Sequence, residues 1–220
     1  MYCLGIETSS IIGSVALSED SRIIDEISFE KGLIHGRELI PNIKKILSSR
    51  NLPPEKIGLV CVSQGPGSYT GLRVGMTTAK IFSYSLKKPL IAVPSLDALV
   101  MNAPLDYDYA CPVMDACWDQ VYSCAYKKSK NGWQKNGEYS ILPAPETADN
   151  IHKGAFVFGD ALKRFRDVFE KKGRFIIGID DAIWYPRARN ICLKGFEYFK
   201  NGRHDDILKV EPMYLRPAKL

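Results

Sequence analysis

The sequence has few of the side chains that hold metals and lacks the motifs that hold phosphates. Three histidines stand among 220 residues. The most suggestive, His35 with Glu38, has Leu39 at the i+4 place where a second ligand would face the first, so no metal pair is expected there. His152 and His204 sit in polar surroundings and are expected at the surface. The six cysteines, at 3, 61, 111, 117, 124 and 192, form no C-x-x-C pair. A zinc site needs tighter spacing, and the cysteines are expected to be buried, reduced thiols of a cytoplasmic protein. No apolar run reaches the length that spans a bilayer, so no membrane partner is expected. The opening "MYCLGIET" enters a strand pattern without a basic flank or a small-residue cleavage site, and no signal peptide is expected. Low-complexity tracts and exact repeats are also missing.

What is there in quantity, locally, is glycine. Residues 63–80 read "SQGPGSYTGLRVGMTTAK". A phosphate loop would need G-x-x-x-x-G-K-[ST], and five positions on from Gly65, Gly67 and Gly71 stand Thr70, Leu72 and Met76. A dinucleotide fingerprint fails at Thr70, and a hydrolase elbow fails because Ser68 is flanked by Pro66 and Thr70. The segment is expected to serve conformation: Gly65 and Gly67 allow positive φ around a turn fixed by Pro66, and Ser68 or Thr70 caps the helix that follows. In that helix, over about 70–86, Gly71 and Gly75 let another backbone approach closely. Arg73 and Lys80 are its only charged residues and share a stripe with Thr77. A helix this poor in charge is expected to be buried on more than one face.

The rest of the chain reads as α/β. Three short β-rich runs joined by tight turns, "YCLGIET", "GSVALSE" and "RIIDEISFE", predict an antiparallel meander. Over about 37–49, Leu39, Ile43, Ile46 and Leu47 fall on one helical face, with Lys44 and Lys45 off it. "IGLVCVS" and "PLIAVPS" are apolar enough to be strands covered on both sides. Three strands, helix, strand, helix, strand places helices against a mixed sheet. The second half repeats the theme less clearly, with strands at "ACPVMDA", "QVYSCAYKK" and "GAFVFGD", a hairpin signal at Asn136-Gly137, and a helix near 189–200. The seam is expected near 101–108, giving units 1–103 and 104–220. Charge follows the same division. Residues 1–110 hold 11 basic and 11 acidic side chains, and residues 111–220 hold 19 and 14, which is the whole net +5. The basic residues gather at Lys127, Lys128 and Lys130, and again at Lys163, Arg164, Arg166, Lys171, Lys172 and Arg174. A polyanion contact at Lys163, Arg164, Lys171 and Lys172 is one reading, and a solvated surface is the other.

Several segments then stand in a telling order: "GIETSS", "HGRELIPNIKKIL", "QGPGSYTGLRVGMTTAK", "PLIAVPSLDAL", "VMDACWDQVY" and "EPMYLRPA". Together they resemble the TsaB (YeaZ) family, accessory subunits of the bacterial tRNA threonylcarbamoyladenosine machinery. The resemblance is dense over residues 1–100, thinner afterwards, and returns at 115–122 and 212–216. It implies an acetate-and-sugar-kinase/actin-like fold with two ribonuclease-H-like halves, each a mixed sheet flanked by helices. It also implies pairing with the transferase TsaD through a helix bundle, docking of the ATPase TsaE on the pair, and tRNA as the shared substrate. The expected interface is Leu39 and Ile43 on the first helix and Leu72, Arg73, Met76, Thr77 and Lys80 on the second. In the catalytic relative, metal-binding histidines follow the strand that matches "LIAV"; the corresponding residues here are Ser95 and Leu99. Ile11 stands where the relative has an acid. The resemblance therefore implies no catalytic residue, no metal and no cofactor of its own, with ATP and metal on the partner.

Two rival readings stay open: a stand-alone ATPase, kinase or peptidase-like enzyme of the same fold, and a homodimeric binding protein. For the first, the candidate nucleotide contacts are Glu7, Thr8 and Ser9 at a strand end, where turn hydrogen bonding is the alternative. Asp115, Asp119 and Asp160 are the candidate paired carboxylates, and Asp180 and Asp181 read as solvated.

Overall fold

The computed structural model describes residues 1–29 and 35–215. Its first sheet starts with the expected meander: β1 (Tyr2–Glu7), β2 (Gly13–Glu19) and β3 (Arg22–Phe29) pair antiparallel. After α1 (His35–Ser48), β4 (Ile57–Gly65) joins β1 in parallel. After α2 (Tyr69–Leu86), β5 (Leu90–Pro94) joins β4 in parallel, giving the order β3-β2-β1-β4-β5. Successive residues of each strand point to opposite faces. Leu4, Ile6, Val15, Leu17, Val60 and Val62 meet Leu39, Ile43, Ile46 and Leu47 of α1 and Met76 and Ala79 of α2. The short α3 (Ser95–Val100) follows β5.

The second unit is built on β6 (Tyr109–Asp115), which pairs antiparallel with β7 (Gln120–Ser123) and, at its other end, with β8 (Tyr126–Ser129). The expected strand "QVYSCAYKK" is therefore two strands. β8 forms a hairpin with β9 (Gly132–Lys135), turning at 130–131, where Ser129 Oγ donates to Gly132 O at 2.8 Å. The Asn136-Gly137 signal makes no hairpin, because Asn136 N donates to Ala125 O and β10 (Ser140–Pro143) pairs with β7 instead. α4 (Ala144–Asn150), β11 (Phe156–Phe158), α5 (Leu162–Lys171) and β12 (Ile176–Ile177) follow, with β11 parallel to both β6 and β12.

The last helix, α6 (Ala188–Lys200), returns to the first sheet. It covers the face left open by α1 and α2, where Cys3, Ala16, Leu59, Cys61, Ile91 and Val93 meet Ala188, Ile191 and Cys192. The approach is close: a Cβ on Gly5 would lie 2.5 Å from Ala188 O, and one on Gly195 would lie 2.4 Å from Cys61 Sγ. Arg187 and Arg189 grip the buried Glu26 of β3 at 2.9 and 2.7 Å. Residues 203–213 then cover the β5 edge, with Ala92 N donating to Asp205 Oδ2 at 2.7 Å and Met213 N donating to Gln64 O at 2.7 Å. The compact units are thus Met1–Ala98 with Pro186–Met213, and Leu99–Tyr185 with Tyr214. This corrects the expected division at 103, since a sheet apolar on both faces recruits its second cover from the far end of the chain.

Candidate functional site

The first candidate site is the turn after β1. Glu7, Thr8, Ser9 and Ser10 are all buried. Thr8 N donates to Ser63 Oγ at 3.2 Å, Ser9 N donates to Glu7 Oε1 at 2.5 Å, and Ile12 N donates to Ser10 Oγ at 3.3 Å. The glycine segment closes over this turn. Pro66 is buried, and Gly65 and Gly67 have φ of +111° and +156°. Ser68 N donates to Ser9 O at 2.7 Å while Ser68 Oγ caps α2 by accepting from Gly71 N. A Cβ on Gly71 would lie 2.0 Å from Thr8 O, and one on Gly75 would lie 2.2 Å from Thr8 Oγ1. Thr8 Oγ1 in turn donates to Gly71 O at 2.8 Å. The glycines serve close packing, as their spacing predicts. A phosphate does not fit this arrangement. The amides of Thr8, Ser9, Ile12, Ser68 and Gly71 are engaged within the chain, and the backbone of the glycine segment lies on the turn.

Glu7 is the charge inside this closure. Burial pushes its carboxyl up to about 7, against the lowering effect of its hydrogen bonds to Ser9 and Ser63. Its Oε2 has no hydrogen-bond partner among the described residues. Ser95 and Leu99 are fully buried and Ile11 is exposed at the turn tip. None of the three can take the place of an imidazole or a carboxylate. The side chain of His35 lies outside the described residues. Of the cysteines, five are buried free thiols and Cys117 is exposed.

The second candidate site is the outer face of α2. On a helix wheel of about 100° per residue, Tyr69, Lys80, Arg73, Tyr84, Thr77, Thr70 and Ile81 fill one continuous arc. Tyr69, Thr70, Arg73, Thr77, Ile81 and Tyr84 are exposed and Lys80 is half-buried. Ile81 is 60% and Tyr84 70% accessible, large values for apolar and aromatic side chains. Arg73 lies over the Tyr69 ring at 4.1 Å. Ile40 of α1 and Leu208 are exposed too, and Lys80 Nζ donates to Leu208 O at 3.5 Å. Four of the expected interface residues belong elsewhere. Leu39, Ile43, Leu72 and Met76 are at most 3% accessible, packed inside this chain. Met76 lies only about 20° around the helix from Tyr69. Periodicity fixes which residues share a stripe but not which side of a weakly charged helix faces its own sheet. Tyr69, Ile81 and Tyr84 were missed for that reason, although Tyr69 and Ile81 each stand four residues from one of Arg73 and Thr77 and eight from the other, and Tyr84 stands four from Lys80.

In the second unit, the end of β6 carries Asp115, whose amide donates to Asp160 Oδ1 at 2.9 Å. Burial pushes the Asp160 carboxyl up to about 6. Arg164 reaches Asp115 at 3.5 Å and Asp119 at 2.8 Å. Between them, Cys117, Trp118 and Asp119 all take positive φ, and Trp118 is exposed. Asp115 and Asp119 are held by one guanidinium and Asp160 by the Asp115 amide, rather than poised as an acid–base pair. The same contacts weaken the expected anion patch on α5. Lys163 donates to Tyr185 Oη, Arg164 serves the two aspartates, Arg166 pairs with Glu170, and Lys172 pairs with Asp149. Lys171 alone of the four expected contacts has no such partner among the described residues.

Comparison with known proteins agrees with this geometry. A family model described as "TsaD: tRNA N6-adenosine threonylcarbamoyltransferase" matches residues 33–153. The chain is 36% identical to the tRNA threonylcarbamoyladenosine biosynthesis protein TsaB of Bacillus subtilis over 133 residues, covering 60% of this chain and 57% of that protein. It is 31% identical to TsaB of Buchnera aphidicola subsp. Acyrthosiphon pisum, covering 86% and 85%. Among solved structures, YeaZ from Pseudomonas aeruginosa superposes with a TM-score of 0.85 at 22% identity, over 97% of this chain and 99% of that one. A ROK hexokinase from Thermus thermophilus shares the fold more distantly, with a TM-score of 0.55 at 7% identity over 92% and 100%. The fold is of the acetate-and-sugar-kinase/actin-like class, and the chain belongs to the TsaB (YeaZ) family of tRNA threonylcarbamoyladenosine biosynthesis proteins.

Proposed function

We propose that this chain is a non-catalytic accessory subunit that pairs with a TsaD-type transferase and activates it in threonylcarbamoyl transfer to tRNA. The observation that carries the reading is the outer face of α2. Tyr69, Arg73, Ile81 and Tyr84 form an aromatic and aliphatic stripe with one guanidinium, the composition of an interface anchor. The closure of the β1 turn by the glycine segment supports the non-catalytic part, since the strand end that would hold a nucleotide is occupied by the chain's own backbone. On this reading the chain needs no cofactor. ATP and metal belong to the transferase, and a TsaE-type ATPase docks on the pair.

The test is to size the chain alone, the transferase alone and their equimolar mixture, and to assay ATP hydrolysis by each. The reading expects a new species in the mixture and no turnover by the chain alone. No new species, or turnover by the chain alone that a single substitution abolishes, would favour the stand-alone enzyme. A homodimer that persists unchanged in the presence of the transferase would favour the homodimeric binding protein.

A further inference from the structure

The second unit contains another basic cluster, whose charges are not taken up by the chain itself. Lys127 and Lys128 on β8 and Lys130 at the β8–β9 turn are exposed, as is Lys153 ahead of β11. None of the four is within salt-bridge distance of a carboxylate among the described residues. This contrasts with α5, where Arg164, Arg166 and Lys172 are each paired. Asp106 and Asp108 lie on the approach to β6, yet neither pairs with these lysines.

The fold also sets aromatic rings among these cations. Tyr109 of β6 stands directly opposite Lys127 of β8 in the antiparallel register, so both side chains share a face. The Lys127 ammonium lies 5.9 Å from the centre of the Tyr109 ring. The ring of His152 stacks on Tyr109 with centroids 3.8 Å apart and planes 19° apart. His152 Nδ1 donates to Lys153 O at 2.6 Å, which fixes the ring plane. His152 is exposed. In the sequence Tyr109 and His152 stand 43 positions apart, with Lys127 18 from the one and 25 from the other, so it shows lysines without the rings. The sheet brings them together.

We infer that the β8–β9 hairpin, with the Tyr109–His152 stack, is an RNA-contacting surface of this subunit: Lys127 and Lys153 hold phosphates beside the stack, Lys128 on the other face of β8 and Lys130 at the turn hold them around the hairpin, and His152 offers a face to an unpaired base. This rests on the reading that the chain works on tRNA. Unpaired cations supply affinity without sequence, and a stacked, immobilised ring accepts any base at low entropic cost. A membrane surface suits the hairpin less well. Its large apolar side chain, Trp133, is half-buried and donates to Ala103 O at 3.3 Å, so it is not displayed for insertion.

The experiment measures anisotropy of a labelled, unmodified tRNA transcript titrated with the full chain between about 50 and 200 mM salt. The wild type should bind saturably at low salt, with affinity falling at a log–log slope of about −2 to −4 for three or four neutralised phosphates. Lys127→Glu/Lys128→Glu/Lys130→Glu should lose at least tenfold in affinity and flatten the slope by about 2 to 3. His152→Ala should lose about fivefold at every salt concentration with the slope unchanged, and His152→Phe should retain binding. Arg166→Ala, on the neutralised helix, should change affinity less than twofold. Circular dichroism checks that each variant is folded. Unchanged tRNA binding by the folded triple variant, or no saturable binding by the wild type, overturns the inference. So does binding to phosphatidylglycerol vesicles that the triple variant loses while tRNA binding persists. Because the chain is tested without the transferase, failure here leaves the pairing result standing, and failure to pair leaves this result readable.

Discussion

The two units carry the same device at the same place, built in opposite ways. In each, a first strand pairs antiparallel with the next strand and parallel with a later one, and a turn leaves its C-terminal end: residues 7–12 after β1, and 115–119 after β6. Residues 7–10 of the β1 turn are buried, and the glycine segment, laid directly upon them, closes the turn with backbone and hydroxyl hydrogen bonds. The β6 turn is largely open. Arg164 props it from outside, and its three positive-φ residues display Trp118 to solvent. Close backbone approach makes the first turn intolerant of any added atom, while an exposed ion pair leaves the second easy to alter. One copy of the turn is thus packed beneath backbone, and the other is left at the surface.

That contrast can be broken from its strong side first. Gly71→Ala puts a Cβ 2.0 Å from a carbonyl oxygen in the backbone of Thr8, so one of the two segments must move. It should cost about 3 kcal/mol or prevent folding, read as a drop in Tm of at least about 6 °C. Met76→Glu belongs to the same class, because it buries an unpaired carboxylate in the core beneath α2. It should lower stability rather than selectively break a complex, so a folded, fully stable Met76→Glu protein would show that this face of α2 is not packed on its sheet.

Glu7 sharpens the comparison through pH. Its folded carboxyl titrates near 7, above the ordinary value of 4.5, so the folded state holds the proton longer than the unfolded one does. The contribution to stability is fully present below 4.5 and is lost as pH rises to about 7. Glu7→Gln, which keeps the acceptor for Ser9 N, should therefore stabilise the protein above pH 7 by up to about 3 kcal/mol and gain little near pH 4.5. Denaturant melts of both proteins across that range test it. A gain that does not grow with pH would show that Glu7 is ionised without penalty. At the weak end, Arg164→Ala in the open turn should shift stability by less than about 1 kcal/mol, since its pairs are exposed. A larger loss in thermal melts would mean the second turn is as tightly built as the first.

Much of this was legible in the sequence, for reasons that can be named. The meander, the two apolar strands and the helices α1 and α2 of the first unit follow from period and turn chemistry. The glycine segment could be assigned to packing because every phosphate motif failed on it. Absolute orientation was not legible: Met76 and Tyr69 are nearly neighbours on the wheel of α2, and only the three-dimensional packing puts one inside and the other out. Partner choice over long separations was not legible either. α6 covers a sheet begun almost 200 residues earlier, and Asn136-Gly137, a good hairpin pair, lies where the next strand joins β7. The α5 cations read as a patch in sequence because their partners, Asp115, Asp119 and Asp149, come from other elements.

The proposed pairing rests on the outer face of α2. The direct measurement is isothermal titration of a TsaD-type transferase with the wild-type chain and with Ile81→Glu/Tyr84→Asp. Both substituted side chains are exposed, so the circular dichroism and Tm of the double variant should match the wild type. The account predicts at least a hundredfold loss of affinity, about 2.7 kcal/mol. Wild-type affinity in a folded double variant would contradict it, and the docking surface would then lie elsewhere on the chain.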